Sequence, residues 1–206
     1  MKHLKLFENF TLNDLEQQYQ DTKDLYELGL IDETELKNVE DRLKIERYIA
    51  DGSNGDLDLR ATRIQSLGEL RKVGGDLDLE GSRIQSLGEL RKVDGYLDLR
   101  GTPIQSLGAL TRVGGNLWLQ GSAIQDLGKL REVVGYLDLQ RTGIKSLGEL
   151  RKVGGYLELQ GAGIQSLGEL REVRGYLDLA ETPISKTHTE QEIRAQVQVG
   201  GKIYYN

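Results

Sequence analysis

The sequence predicts a repeat solenoid, a stack of short coils with a parallel β-sheet along one face. Three observations predict it. A 20-residue unit recurs six times without an insertion, over residues 55–74, 75–94, 95–114, 115–134, 135–154 and 155–174, and a seventh copy begins at Gly175 and breaks down after Ile184. Each copy opens Gly-x-Leu-x-Leu, the alternation of a strand whose two leucines share a face. Glycine is frequent, 26 of 206 residues, and recurs at fixed places, whereas proline occurs only twice. Such placement belongs to repeated tight turns rather than to a flexible linker.

Each unit reads G-x-L-x-L-x-x-[ST]-x-I-x-x-L-G-x-L-x-x-V-x, with Ala162 the one departure at the eighth place. After the strand the apolar residues come every third position, as in Ile84, Leu87, Leu90 and Val93. That spacing suits a path of short turns or 3₁₀-like geometry, not an α-helix. Gly68, Gly88, Gly108, Gly128, Gly148 and Gly168 lie within this path and are expected at positive φ. A single unit cannot bury its own apolar side, but stacked copies build a continuous core.

The series Leu70, Val73, Leu77, Leu79, Ser82, Ile84 and its copies resemble a leucine-rich repeat, over residues 54–184. The chain departs from that pattern by Val for one leucine, by Ser or Thr where Asn or Cys usually stands, and by one extra residue before the strand. The resemblance implies a parallel sheet on one face and an irregular or 3₁₀ return path. It also implies that Thr62, Ser82, Thr102, Ser122, Thr142 and Thr182 replace an asparagine ladder and bond the backbone of the neighbouring coil. A three-sided parallel β-helix is the alternative architecture.

The flanks differ from the repeats. Residues 1–54 predict a helical hairpin. Thr11 caps a helix with Leu12, Leu15, Tyr19, Leu25 and Leu28 at helical spacing, and Gly29 stops it. Asp32 with Glu35 starts a second helix, with Leu36, Val39 and Leu43 as its stripe, that runs to about Ala50. This hairpin is expected to cover the open end of the core. Residues 21–45 also resemble the small SHOCT-type helical hairpin, and the opening KHLKLFENF resembles leaders on proteins from bacterial viruses. Residues 185–206 predict a short helix from Thr189, a turn at Gly200-Gly201 and a final strand, which together close the other end. The solenoid proper is assigned to residues 55–184.

Stacking converts every twentieth residue into a neighbour, about 4.8 Å away. Three outward columns follow. The first is Asp56, Asp76, Tyr96, Asn116, Tyr136, Tyr156 and Tyr176; the second is Asp58, Asp78, Asp98, Trp118, Asp138, Glu158 and Asp178; the third is Arg60, Glu80, Arg100, Gln120, Gln140, Gln160 and Ala180. Nine acids and two bases make this face net −7, against −6 for the whole chain. Stacked like charges cost a few tenths of a kcal/mol per pair, and the sequence shows no folding benefit that offsets it. Duplication of a soluble unit accounts for the acids without a function. A binding face accounts for them together with the tyrosines and the lone tryptophan, since aromatic rings beside carboxylates receive Arg or Lys groups. The candidate contact residues are Tyr96, Asp98, Trp118, Tyr136, Asp138, Tyr156, Glu158, Tyr176 and Asp178, and the expected partner is a basic protein of unspecified identity. The return path carries Arg71, Arg91, Arg131, Arg151 and Arg171, partly offset by Glu69 and its copies.

Several chemistries are not spelled out. The chain has no cysteine, and its two histidines, His3 and His188, stand far apart, which argues against a thiolate or histidine metal centre and fits a reducing cytoplasmic setting. The acidic net charge argues against phosphate-driven nucleic-acid binding. No apolar run reaches the length of a membrane helix, and Glu8, with no small-residue cleavage site, does not read as part of a secretory signal. No phosphate loop or nucleophile elbow occurs, and an open sheet offers no dry cleft to separate two carboxylate pKa values. The expectation is a non-enzymatic protein with no cofactor and no dedicated metal site. Cation binding by the Asp ladder is a minor alternative, and an oligomer-forming role through the helical hairpin is the main one.

Overall fold

A computed structural model describes residues 11–205; the resemblance read from KHLKLFENF lies outside them. The chain divides into two compact units, one ending at Gly52 and one beginning at Ser53.

The first unit is a pair of helices, α1 (Leu12–Glu27) and α2 (Glu33–Ala50). Thr11 caps α1 through a reciprocal box: its hydroxyl accepts from the Asp14 amide at 3.3 Å, and Asp14 accepts from the Thr11 amide at 2.9 Å. Asp32 caps α2, its carboxylate accepting from the Glu35 amide at 3.1 Å. Gly29, at φ 70°, stands in the turn after α1, a conformation glycine adopts without steric cost. The apolar stripe of α1 is covered only in part. Leu15 is buried, whereas Leu25 and Tyr26 are exposed, and so are Leu28 and Leu30 in the turn that follows.

The second unit is a parallel β-solenoid. Eight two-residue strands, from Leu57–Asp58 to Ile203–Tyr204, pair in sequence order into one parallel sheet. The 20-residue period is kept as register: Leu57 faces Leu77, Leu77 faces Leu97, and so on to Leu177. The return path is more regular than expected. It forms a second parallel sheet of seven strands, from Lys72–Val73 to Gln198–Val199, and a line of isolated bridges such as Ser66 with Ser86. Backbone groups cut off from water must be paired, and with identical coils stacked in phase the nearest partners lie directly above and below.

The core is a column of apolar side chains repeated in every coil. Leu77, Leu79, Ile84, Leu90 and Val93 are fully enclosed in one turn, and their equivalents repeat the pattern through Leu177 and Leu179. Each such side chain contributes roughly 2 kcal/mol by leaving water. Gly68 and its five copies are held at φ between 55° and 59°, as the three-residue spacing predicted. In every copy but that of Gly128, where Asp126 replaces serine, the turn is fastened by the serine two residues earlier, whose hydroxyl accepts from the glycine amide, as Ser86 does from Gly88 at 3.0 Å.

The hydroxyl ladder differs from its expectation. Thr62, Thr102, Ser122, Thr142 and Thr182 are buried, but each donates to the leucine carbonyl three residues earlier in its own coil, at 2.6–2.7 Å. The same carbonyl also accepts from the backbone amide of that residue, as Leu119 does from Ser122 at 3.0 Å, so the turn at the strand end brings the hydroxyl within reach of its own coil. Contact with the neighbouring coil passes instead through backbone, as from the Arg83 amide to the Thr62 carbonyl at 3.0 Å.

The C-terminal segment completes the stack with a longer step. Leu177 pairs with Ile203, and Val173 with Val199, with α3 (Glu190–Gln196) inserted on the third side. Arg194 donates to the carbonyls of Val199 and Gly201, both at 3.1 Å, covering polar groups that a sheet edge otherwise leaves open.

Two backbone predictions follow from the repeat. Ala61, Arg141 and Glu181 occupy a turn position at φ 53–59° where the other coils carry glycine. Arg141→Gly is therefore expected to stabilise the chain by about 0.5–1 kcal/mol, read as a higher urea midpoint. Conversely, a Cβ on Gly115 would lie 2.7 Å from the Tyr96 nitrogen. Gly115→Ala is expected to cost about 1–3 kcal/mol in the same measurement.

Candidate functional site

The alternation of the strand turns the first two columns outward and the intervening leucines inward. Asp58, Asp78, Asp98, Trp118, Asp138, Glu158 and Asp178 stand directly opposite one another along the sheet, and Tyr204 extends their line. The aromatic residues of the columns group in two places. Tyr96 lies against Trp118 with ring centroids 5.2 Å apart. Tyr136, Tyr156 and Tyr176 stack face to face with centroids 4.7 and 4.2 Å apart, and Tyr204 closes the row edge-on at 5.5 Å. Offset and edge-on arrangements of this kind contribute about 0.5–1.5 kcal/mol per pair beyond their area.

The aspartates have a folding role that the sequence did not reveal. Asp58, Asp78, Asp98, Asp138 and Asp178 each accept from the backbone amide two residues on, at 2.8–3.1 Å, closing the turn at the strand end. In the first column Asp56, Asp76 and Asn116 accept from the amide of the equivalent residue in the next coil, at 2.8–2.9 Å. Repetition of Asp is thus offset by bonds to otherwise unpaired amides. The expectation of a cost without folding benefit is corrected.

The face is also polarised along its axis. In the first three coils two arginines pair with four of the six acids. Arg60 lies 2.7 Å from Asp58 and 3.5 Å from Asp78, and Arg100 lies 3.3 Å from Glu80. Arg100 Nε donates to both oxygens of Asp98, at 3.0 and 2.9 Å, and Asp98 is only 2% exposed. It is enclosed by its partner rather than open on the surface. The same Arg100 guanidinium lies 5.8 Å from the centre of the half-buried Trp118 ring. In the last three coils the third column turns neutral, with Gln140, Gln160 and Ala180. Among the described residues, Asp138, Glu158 and Asp178 form no ion pair. Burial, and then the charge of Glu158, push the Asp138 carboxyl above its ordinary range. Burial and a hydrogen bond to Glu158 push the Tyr176 hydroxyl up.

The carboxylates of Asp78, Glu80 and Asp98 come within 4.8 Å of one another, a donor set of the hard-oxygen type that suits Ca²⁺. Arg60 and Arg100 already supply positive charge there. On the opposite ridge, Arg131 and Arg151 pair with Glu149 and Glu169 of the next coil at 3.2 and 2.9 Å, and Lys72 with Asp94 at 2.8 Å. The row of bases is therefore compensated in part. Lys72 and Lys92 hold Asp94 down at about 2. Its contribution to folding is present above the ordinary carboxylate value and is lost as pH falls toward about 2.

Sequence columns thus placed Trp118, the tyrosines, the acids, Asn116 and Arg100 on one sheet, while Tyr204 was missed as a member of it. Tyr204 stands 28 residues after Tyr176, so the fixed period passes over it. The pairing of Arg100 with Asp98 was legible in the sequence, as the two stand two residues apart. Comparison with protein families, curated proteins and solved structures finds no match to this chain.

Asp138→Asn keeps the acceptor for the Gln140 amide and removes a charge stacked beside Glu158. Because the folded-state pKa is raised, the charge penalty is present at neutral pH and absent below the unfolded value. The substitution is expected to raise stability by about 0.5 kcal/mol at pH 7, with the gain vanishing at pH 3 in urea titrations.

Proposed function

We propose that the protein is a non-enzymatic interaction module that binds a basic protein through this acidic, tyrosine- and tryptophan-bearing sheet. The observation that carries the reading is the combination, on one regular surface, of a continuous tyrosine stack with Asp138, Glu158 and Asp178, carboxylates that form no ion pair among the described residues. Fixed rings supply contact area at low entropic cost, and unpaired carboxylates supply complementarity to Arg or Lys. The structural role of the aspartates explains the first coils without a partner. It does not explain Glu158, or why the later coils replace arginine by glutamine. We read the solenoid as akin to leucine-rich repeats in using its sheet for recognition, and we assign it to the cytoplasm of a bacterial or virus-infected bacterial cell on the absence of cysteine and the form of its opening residues.

A second reading, contacts through the helical hairpin, is favoured by one observation: Leu28 and Leu30 are 72% and 68% exposed beside Leu25 and Tyr26. Adjoining exposed apolar side chains of this kind mark association sites. Light scattering of Leu28→Lys with Leu30→Lys separates the two. Loss of an oligomer present in the parent chain supports the hairpin reading, and an unchanged mass removes it.

The main proposal is tested by Trp118→Ser, Tyr136→Ser and Tyr156→Ser. Each is expected to retain the circular dichroism of the parent and to lose at least tenfold in affinity for a captured partner. Partner binding unchanged by all three would sink the proposal.

A further inference from the structure

We propose that the C-terminal edge of the eight-stranded sheet, at Ile203, Tyr204 and Tyr205, is a docking site for an extended segment of another protein, which adds to the sheet as one more parallel strand. This edge is distinct from the acidic face, and its occupancy does not depend on that face binding a partner.

The stack itself shows what the edge is built to receive. Within it, the inward residues of each strand donate their amides to the coil that follows. In the last such step the Leu177 and Leu179 amides donate to the carbonyls of Lys202 and Tyr204, at 3.0 and 2.8 Å. Ile203 lies over Leu177, so the amides of Ile203 and Tyr205 point to where a following strand would stand. Among the described residues neither amide has a partner. The Tyr204 side chain between them is 43% exposed, and Ile203 is 9% exposed where Leu177 is 0%. Open edge groups of this kind pair with an added strand, and main-chain hydrogen bonds then supply the affinity.

The neighbouring corner is closed, and this selects the occupant. The Val173 and Gly175 carbonyls accept from the Gly200 and Gly201 amides, both at 2.9 Å. The equivalent carbonyls of the last coil, Val199 and Gly201, accept instead from Arg194, which Glu190 holds through Nε at 2.8 Å. The guanidinium takes the place of the two amides that a further coil would bring. The end of a second solenoid needs that corner and is shut out. A short extended chain that enters beyond Gly201 does not need it. In parallel register its backbone offers two carbonyls to the amides of Ile203 and Tyr205 and one amide to the Ile203 carbonyl. Its side chains follow the alternation of the coils, with leucine or isoleucine inward over Ile203 and the next residue outward against Tyr204. The segment is therefore of the Leu-x-Leu type that every coil of the stack already pairs with.

The test uses the full chain and an acetylated, amidated peptide, Gly-Tyr-Leu-Asp-Leu-Gln, which copies residues 135–140. Its control carries an N-methyl group on the aspartate, which keeps the charge and side chains but removes the amide that meets the Ile203 carbonyl. The unmodified peptide is expected to bind at least tenfold tighter than the control and to slow hydrogen exchange at the Ile203 and Tyr205 amides. Tyr205→Pro removes one edge donor and is expected to weaken binding at least tenfold, whereas Tyr205→Phe, which keeps the amide, leaves it within twofold. Equal binding of the two peptides, or unchanged exchange at Ile203 and Tyr205, overturns the site whether or not Tyr205→Pro folds. Peptide binding lost in Trp118→Ser moves it to the acidic face and also overturns the edge. A dimer of the parent chain in light scattering that Tyr205→Pro dissolves gives the edge to a second copy and overturns the extended segment as its occupant.

Discussion

The structure depends on one constraint: successive coils are joined by backbone hydrogen bonds at matching positions, so each residue lies over its equivalent one unit earlier. The glycine ladder shows how strict this is. The Gly95 amide donates to the Gly75 carbonyl at 2.8 Å, Gly115 to Gly95 at 2.7 Å, and the series continues to Gly201. Backbones approach so closely there that a Cβ at most of these places would meet the coil below. The period tolerates no insertion until the end of the array, where a helix takes up the extra residues on one side while both sheets stay in register.

From that constraint the surface chemistry follows. A repeat copied without change brings like charges together at strand spacing, which is unfavourable unless each charge has local work to do. The aspartates of the second column have it, since they accept the turn amide two residues on. Arginines in the first and third coils then pair with Asp58, Asp78, Glu80 and Asp98. Where the chain gives up those arginines, it also gives up the aspartate of the first column in favour of stacked tyrosine. The two halves of one sheet are thereby made different, one with arginine–carboxylate pairs and one with stacked tyrosines beside carboxylates that form no ion pair among the described residues. The proposed function grows from this asymmetry rather than from net acidity, which the whole chain shares.

The helical unit obeys a different logic. Its ends are set by side-chain caps at Thr11 and Asp32, each a local interaction readable from a few letters. Its burial is not. Leu15 and Leu43 are enclosed, whereas Leu28 and Leu30, in the turn between the helices, are open to solvent. Helical spacing identifies which residues share a stripe, but how far along the stripe the packing extends depends on what meets it.

The sequence by itself determined the coil: its length, the inward leucines, the positive-φ glycines, the capped helices and the membership of each outward column. These follow from periodicity and local sterics, which act within one unit and repeat. Only the tertiary structure decided what each polar side chain does. The hydroxyls of Thr62, Thr102, Ser122, Thr142 and Thr182 turned back to their own strand, Asp98 was enclosed by Arg100, and the return path gained a second sheet. Tyr204 joined the aromatic row across a step the period does not count. The physical reason is that a hydrogen bond or ion pair is a choice among several partners within reach. Those choices depend on distances of a few ångströms across coils, set only once the stack has closed.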